Sequence, residues 1–249
     1  MDYEIISLAE RFDLFEEQDR IGGELWPEFM RHDPIAIEHW MDLIEAFKKF
    51  QLMILADGEI LAVINTVPLN FTDDIDLLPN GGVIWGIKQA ILDYRSGTSP
   101  NMLMAVQIVV NKRHLGKGLS KISTEEVCRL AKNNGLSNVI VPVRPNNKHE
   151  YPLIDIKDYA NWKNDDGLPF DSWLRVHVKM GGKVIKVCTE SMFIPGTIVE
   201  WKDWTGMKFP GTGRYIVEGA LNPVSIDLES NLGTYVEPNI WVVHNIEIA

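Results

Sequence analysis

The feature that most restricts what this chain can fold into is residues 102–110, MLMAVQIVV, apolar at every position but the glutamine. A run of that length and composition suits a strand buried on both faces in the middle of a sheet. Behind it come a turn with glycines at 116 and 118, a helical pattern over 118–134, and a second apolar run, NVIVPV, at 138–143. Leu119, Ile122, Val127, Leu130 and Ala131 form the apolar stripe of the helix, and Asn133-Asn134-Gly135 supplies its C-cap. Pro145 ends the second strand.

The flanking sequence adds to this centre. Residues 3–8 read as a short strand and residues 9–50 as helical, with Leu14, Phe15, Leu25, Phe29, Ile35, Ile37, Trp40, Leu43, Ile44 and Phe47 at near-helical spacing and breaks at Pro27 and Pro34. QLMILA and EILAVINTV, on either side of Asp57-Gly58, predict a hairpin. A polar loop over 68–82 leads to a helix over 83–95. Residues 146–170 read as polar and irregular, and Asp171 as the N-cap of a short helix, 172–180. Strands are predicted at 183–188 and 192–200, then a Gly/Pro-rich tail with β-like pieces at 214–218 and 239–243. The order predicts a mixed α/β (α+β) fold with a β-rich C-terminal extension. Residues 1–200 would form one domain, with 201–249 packed on it.

The net charge of −11 repels a phosphate backbone, so nucleic acid is not an expected partner. Against this background Lys112, Arg113, His114, Lys117 and Lys121 form one basic cluster, which points to a small anionic ligand. Cys128 and Cys188 have neither zinc-site spacing nor the number a disulfide framework needs, and read as small buried apolar residues. No metal is expected. Residues 1–12 lack the basic and apolar segments of a signal peptide, and no apolar run reaches the roughly 20 residues of a membrane span. The expected setting is the cytoplasm, with no membrane partner.

The turn after residue 110 carries the chemistry. Gly116 and Gly118 let backbone N–H groups converge, and the helix adds unpaired N–H groups and the positive end of its dipole. The product is an anion site suited to phosphate. The NTPase pattern G-x-x-x-x-G-K-[ST] is absent. The dinucleotide pattern G-x-G-x-x-G fails at Lys121.

In order, Val110, Asn111, Lys112, Arg113, His114, Leu115, Gly116, Lys117, Gly118, Leu119 and Ser120 resemble the pyrophosphate loop of the GNAT superfamily of acyl-CoA N-acyltransferases. That family's pattern runs Val-x-Pro-x-x-Arg/Gln-Gly-x-Gly-x-Gly/Ala after its fourth strand. The spacing holds throughout, with Lys112 for proline, Leu115 for Arg/Gln and Ser120 for the last small residue. Leu115 removes one charged phosphate contact, Arg113 or Lys117 supplies charge, and Ser120 adds a hydroxyl donor. Val141-Pro142-Val143-Arg144-Pro145-Asn146 resembles the end of the family's fifth strand, where an Asn lies by the cofactor. His177 to Gly182 stand where the family's next helix usually closes with Tyr-x-Lys-x-Gly-Phe. His177 thus takes the place of a Tyr that often protonates the departing thiolate. The resemblance covers residues 3–200.

The resemblance implies a central mixed, twisted sheet flanked by helices. It implies that acetyl-CoA, or another acyl-coenzyme A, is a substrate, bound along Ile108, Val109 and Val110, at residues 113–120 and by Asn146. An amine or other small acceptor would attack directly, with the acyl carbonyl polarised by a strand-four N–H and His177 as the catalytic residue. Strand four offers only Gln107 and no carboxylate, so the general base is not evident. Glu45, Asp93, Glu200 and Asp203 are candidates by sign alone. Trp40 is assigned to the core, and Trp85 to packing ahead of an acceptor pocket. Two other readings stay open. One is a malonyl-thioester decarboxylase or S-acyltransferase, because GNAT-like domains of polyketide loading modules resemble this chain in carrying a histidine on the helix after strand five. The other is a non-catalytic acyl-CoA-binding protein, because strand four lacks a carboxylate. Residues 146–170 and 203–249 would shape either the acceptor side or a homodimer contact.

Overall fold

In the structure, a computed structural model that describes residues 2–248, β1 (Glu4–Ser7) is followed by α1 (Phe15–Gly23) and α2 (Pro34–Ala46). Asp33 starts α2 by accepting from the N–H groups of Ile35 and Ala36, with Pro34 at the first helical position, where its missing N–H does no harm. Asp57 and Gly58, with φ of 52° and 80°, join β2 (Gln51–Ala56) to β3 (Glu59–Leu69) in the predicted hairpin. Then come α3 (Gly82–Ser96), β4 (Met102–Val110), α4 (Leu119–Asn133) and β5 (Asn138–Val143), all close to the bounds read from sequence. The C-terminal part holds α5 (Ile156–Ala160), α6 (Ser172–Lys179), β6 (Lys183–Gly196), α7 (Ile198–Thr205), β7 (Gly213–Tyr215), β8 (Val224–Asp227) and β9 (Leu232–Asn245).

The nine strands among the described residues belong to one mixed sheet, ordered β1-β2-β3-β4-β5-β9-β8-β7, with β6 on the free side of β9. Alternate residues divide its two faces. Met53, Val63 and Met104 pack with Leu43, Ile44, Ile87 and Ala90 of α2 and α3. Ile54, Ile64, Leu103 and Val141 pack with Val127 and Ala131 of α4 and Leu174 of α6. Each such buried side chain contributes about 2 kcal/mol of apolar transfer energy, so both helical layers are firmly held. A third cluster, centred on Phe29, Trp201 and Tyr235, fills the end of the sheet where β8 and β9 meet α7. No helix among the described residues is long and apolar enough to cross a membrane.

Three parts of the C-terminal region differ from the sequence reading. The strand expected over 192–200 stops at Gly196. Thr197 and Glu200 form a capping box that starts α7, with the Thr197 N–H and hydroxyl both donating to Glu200. Residues 146–170 are not structureless: Tyr151, Tyr159, Trp162 and Phe170 pack edge-on around α5. The tail is β-rich as expected, but β9 lies inside the sheet, paired with β5 from Asn138–Asn245 to Val143–Ile240 on one edge and with β6 on the other.

Candidate active site

β4 and β5 run parallel, yet they pair only at Met102–Asn138, Leu103–Val139 and Met104–Ile140. Beyond these pairs β4 continues to Val110 and β5 to Val143 without meeting. A bulge falls at the same place: Thr66 pairs with Ala105 and Asn65 with Gln107, leaving Val106 unopposed. Val106, Gln107 and Ile108 are the half-buried residues of an otherwise buried strand, and they line the gap. The edge of β4 facing the gap therefore offers backbone groups with no strand partner. It does so at the carboxyl ends of two parallel strands, where open sheets bind ligands.

The loop after β4 builds the second part. Asn111 accepts from the Arg113 N–H and shapes one tight turn over Lys112–His114. Gly116 and Gly118 have φ of 76° and 78°, and a Cβ on either would meet nothing within 4 Å. Backbone conformation, rather than crowding, calls for glycine there. Among the described residues none of the N–H groups from Leu115 to Ser120 donates to the protein, while those of Lys121 and Ile122 return to the Gly118 carbonyl. Six donors at the start of a long helix are thus left for a ligand. Glu59 at the head of β3 gathers the charge: His114 Nε2 lies 3.1 Å and Arg113 Nη1 3.5 Å from its carboxylate, and Lys117 Nζ lies 3.0 Å from His114 Nδ1. Exposed pairs of this kind are weak, so an arriving polyanion can compete for Arg113 and Lys117.

A cavity of about 530 Å³ lies between the gap and the α1–α2 region. Trp26 Nε1 donates to Gln107 Oε1 at 2.9 Å, Gln107 Nε2 to Asn65 Oδ1 at 2.8 Å, and Asn65 Nδ2 to Gln51 Oε1 at 2.9 Å. Gln51 Nε2 ends the chain on the carbonyls of Phe47 and Thr66. Each amide both accepts and donates, which fixes the orientation of Gln107 and ties Trp26 to the bulge. Gly22 is needed for this approach, since a Cβ would stand 2.9 Å from Gln107 Nε2.

Arg144, just past β5, and Glu237, in β9, also reach the cavity. Arg144 Nε lies 2.6 Å from Glu237 Oε1, its Nη2 donates to the Gly219 carbonyl, and the guanidinium sits 5.8 Å from the Trp26 ring centre. Tyr235 donates its hydroxyl to Glu237 Oε2 and accepts the Leu221 N–H at 2.8 Å. Burial pushes the Glu237 carboxyl up from its ordinary value, against the opposing pull of Arg144, Tyr235 and Asn239.

Of the residues expected from sequence, Ile108, Val109 and Asn146 line the cavity, Val110 is buried at the end of β4, and Arg113 to Ser120 form the donor loop. His177 is placed elsewhere. It is wholly buried in α6, with Nδ1 2.9 Å from His244 Nε2 and the Trp173 ring 4.4 Å away, and it does not line the cavity. Burial, and then His244, lower its pKa to about 3, so its ring is neutral near pH 7. None of the four candidate carboxylates lines the cavity either. Glu45 pairs with Lys48 at the surface, Asp93 accepts from the Asn70 N–H and from Gln89, Glu200 belongs to the capping box, and Asp203 points to solvent. Trp40, expected in the core, lines the cavity and donates to Asp19 at 2.8 Å, whereas Trp85 packs against Phe71 and Trp241. Trp26, Arg144, Glu237 and Asn239 escaped sequence reasoning. The one available signal was an acid set within the last apolar strand.

A central strand that parts from its parallel neighbour above a glycine-turned donor loop, beside a lined cavity, defines an acyl-CoA-dependent transferase. No family model matches the chain. The arginine N-acetyltransferase avaD of Aspergillus versicolor is 33% identical, over 98% of this chain and 94% of its own length. Among solved structures, the loading GNATL domain of CurA from Lyngbya majuscula superposes with a TM-score of 0.66, covering 98% of both chains at 14% identity. The GphF GNAT-like decarboxylase in complex with isobutyryl-CoA gives 0.59, covering 99% of this chain and 100% of its own at 11% identity. The chain belongs to the GNAT superfamily, and it is an acyl-CoA-dependent N-acyltransferase that moves an acyl group from coenzyme A to an amine.

Proposed function

We propose that this enzyme acetylates an arginine-bearing acceptor with acetyl-CoA as donor. The observation that carries the reading is the 33% identity, over 98% of the chain, to an arginine N-acetyltransferase. The free N–H groups from Leu115 to Ser120 would receive the pyrophosphate, with charge from Arg113 and Lys117. The unpartnered edge of β4 at Ile108, Val109 and Val110 would pair with the pantetheine amides, and Asn146 would border it from the β5 side. The acceptor would fill the cavity under Trp26 and Trp40, where the exposed Asp19 carboxylate offers negative charge to a cation. The decarboxylase alternative depends on His177, which does not line this cavity.

The test is to mix the purified protein with acetyl-CoA and L-arginine and to follow thiol release together with the mass of the product. One free coenzyme A per N-acetylated arginine is expected. The reading is refuted if arginine, arginine amide and arginine-containing peptides all yield no product while acetyl-CoA binds.

A further inference from the structure

The loop and gap account for binding the donor, but the amine must also lose a proton before it can attack. Among the described residues two carboxylates line the cavity, Asp19 and Glu237. Asp19 is exposed and already accepts from Trp40. Glu237 is wholly buried, ion-paired through Oε1 with Arg144 Nε 2.6 Å away, and accepts from Asn239 Nδ2 at 3.5 Å on Oε1 and from the Tyr235 hydroxyl on Oε2. The Tyr235 proton must point at Glu237, because its oxygen takes the Leu221 N–H. A carboxylate has about four acceptor positions, and the two hydrogen bonds from Asn239 and Tyr235 leave acceptor capacity free. Although wholly buried, Glu237 forms part of the cavity wall together with Arg144.

We propose that Glu237 is the general base of the transfer, accepting a proton from the acceptor's ammonium or guanidinium nitrogen, with Arg144 and Tyr235 as positioning residues. This rests on the amine-acceptor reading given above. The cationic nitrogen gives one proton to Glu237, and its freed lone pair attacks the thioester carbonyl carbon. The C–N bond forms, the C–S bond breaks with its electron pair going to sulfur, and the second nitrogen proton neutralises the thiolate. Amide, free thiol and protonated Glu237 result, and Glu237 returns its proton to solvent. The groups facing Glu237 are Arg144 after β5, Tyr235 on β9 itself, Cys188 on β6 and Lys148 beyond the end of β5, and Asp19 and Arg31 share the cavity. Burial acts on the carboxyl in the direction a base requires, upward from 4.5.

The experiment compares pH profiles of kcat/KM for the native enzyme and Glu237→Gln, with acetyl-CoA and the amine that the native enzyme acetylates. The native profile should rise with pH and level off above the ordinary carboxyl range, well below the amine's own ionisation. Glu237→Gln should lose roughly 10²–10⁴-fold, keep its acetyl-CoA affinity, and climb in proportion to the free-amine fraction without levelling. A folded variant that keeps native kcat/KM, or one that loses rate while the acid limb stays in place, overturns the assignment. Should the variant fail to fold, the native profile decides alone: a rise that continues to the amine's own ionisation also overturns it. A native enzyme that acetylates no amine removes the acceptor reading, and this proposal with it.

Discussion

Gly118→Asp separates the conformational and electrostatic roles of the donor loop. Gly118 has φ of 78° and open space where a Cβ would stand, so the variant meets no clash. A non-glycine residue in this left-handed region costs about 1–2 kcal/mol, which lowers the Tm by roughly 3–6 °C in a chain of this size. That strain is present with and without ligand, so it cancels from the binding energy. What remains is repulsion. A carboxylate about 5 Å from one pyrophosphate charge, at an effective dielectric of about 20, opposes binding by about 3 kcal/mol, or roughly a hundredfold in Kd. Gly118→Ala carries the strain without the charge and should show a Tm fall at least as large, since aspartate tolerates the left-handed region better, with native affinity. Calorimetric titration with acetyl-CoA at low and high salt is the assay, because added salt should recover part of the loss in Gly118→Asp. A folded Gly118→Asp protein that binds like the native one would refute the reasoning. So would a Gly118→Ala protein that loses as much as the aspartate variant.

Asp171 caps α6 through the N–H groups of Trp173 and Leu174, and it accepts from the Asn147 N–H and the buried Tyr159 hydroxyl. Asp171→Ala should cost about 3 kcal/mol and lower the Tm by roughly 10 °C in a calorimetric scan. Gly233→Ala puts a Cβ 2.2 Å from Trp201 Cδ1, inside a rigid buried cluster, and should destabilise by about 1–3 kcal/mol in a urea titration. The His177 pKa of about 3, against an ordinary 6.5, means that the unfolded chain takes up a proton the folded chain refuses. The stability held above pH 6.5 is therefore lost as pH falls toward 3, and a Tm series downward from pH 7 should decline more gently in His177→Gln than in the native protein. Burial raises Cys128 to about 11 and Cys188 to about 12, so neither thiol should react with a thiol reagent at pH 7.5 until urea unfolds the chain.

The parts legible in the sequence are those whose causes are local. Asp57-Gly58 gives a hairpin because two adjacent residues accept positive φ, and Asp171 gives a helix start because its carboxylate reaches N–H groups two and three residues on. The donor loop is local in the same sense, since one contiguous stretch supplies the turn, the N–H groups and the charge. Thr197-x-x-Glu200 was equally local but was masked by the β-branched residues around it, which suit a strand until the capping box is noticed. β9 was undervalued for a different reason. It is central because Asn138 meets Asn245 and Lys183 meets Val243, and nothing near residue 240 announces partners so far away in the chain.

The acceptor wall is the least legible part because it depends on register. Trp26, Gln107, Arg144 and Glu237 come from four separated segments and meet only if each element packs in one alignment. Glu237 shows how tightly this is set. It pairs with Met192, and Tyr235 two residues earlier pairs with Ile194, so both point to one face. A slip of β9 by one residue would turn Glu237 to the opposite face and strand Arg144 without its partner. The alignment is pinned next to the site itself. Between the pairs Glu237–Met192 and Asn239–Cys188, residues 189–191 of β6 bulge opposite Pro238, which has no N–H to give a ladder. Ser191 in that bulge accepts the Val83 N–H at 2.9 Å, and a Cβ on Gly82 would stand 2.2 Å from its hydroxyl, so α3 locks the bulge in place. The bulge in β6 is thus what fixes the buried carboxylate at the cavity wall.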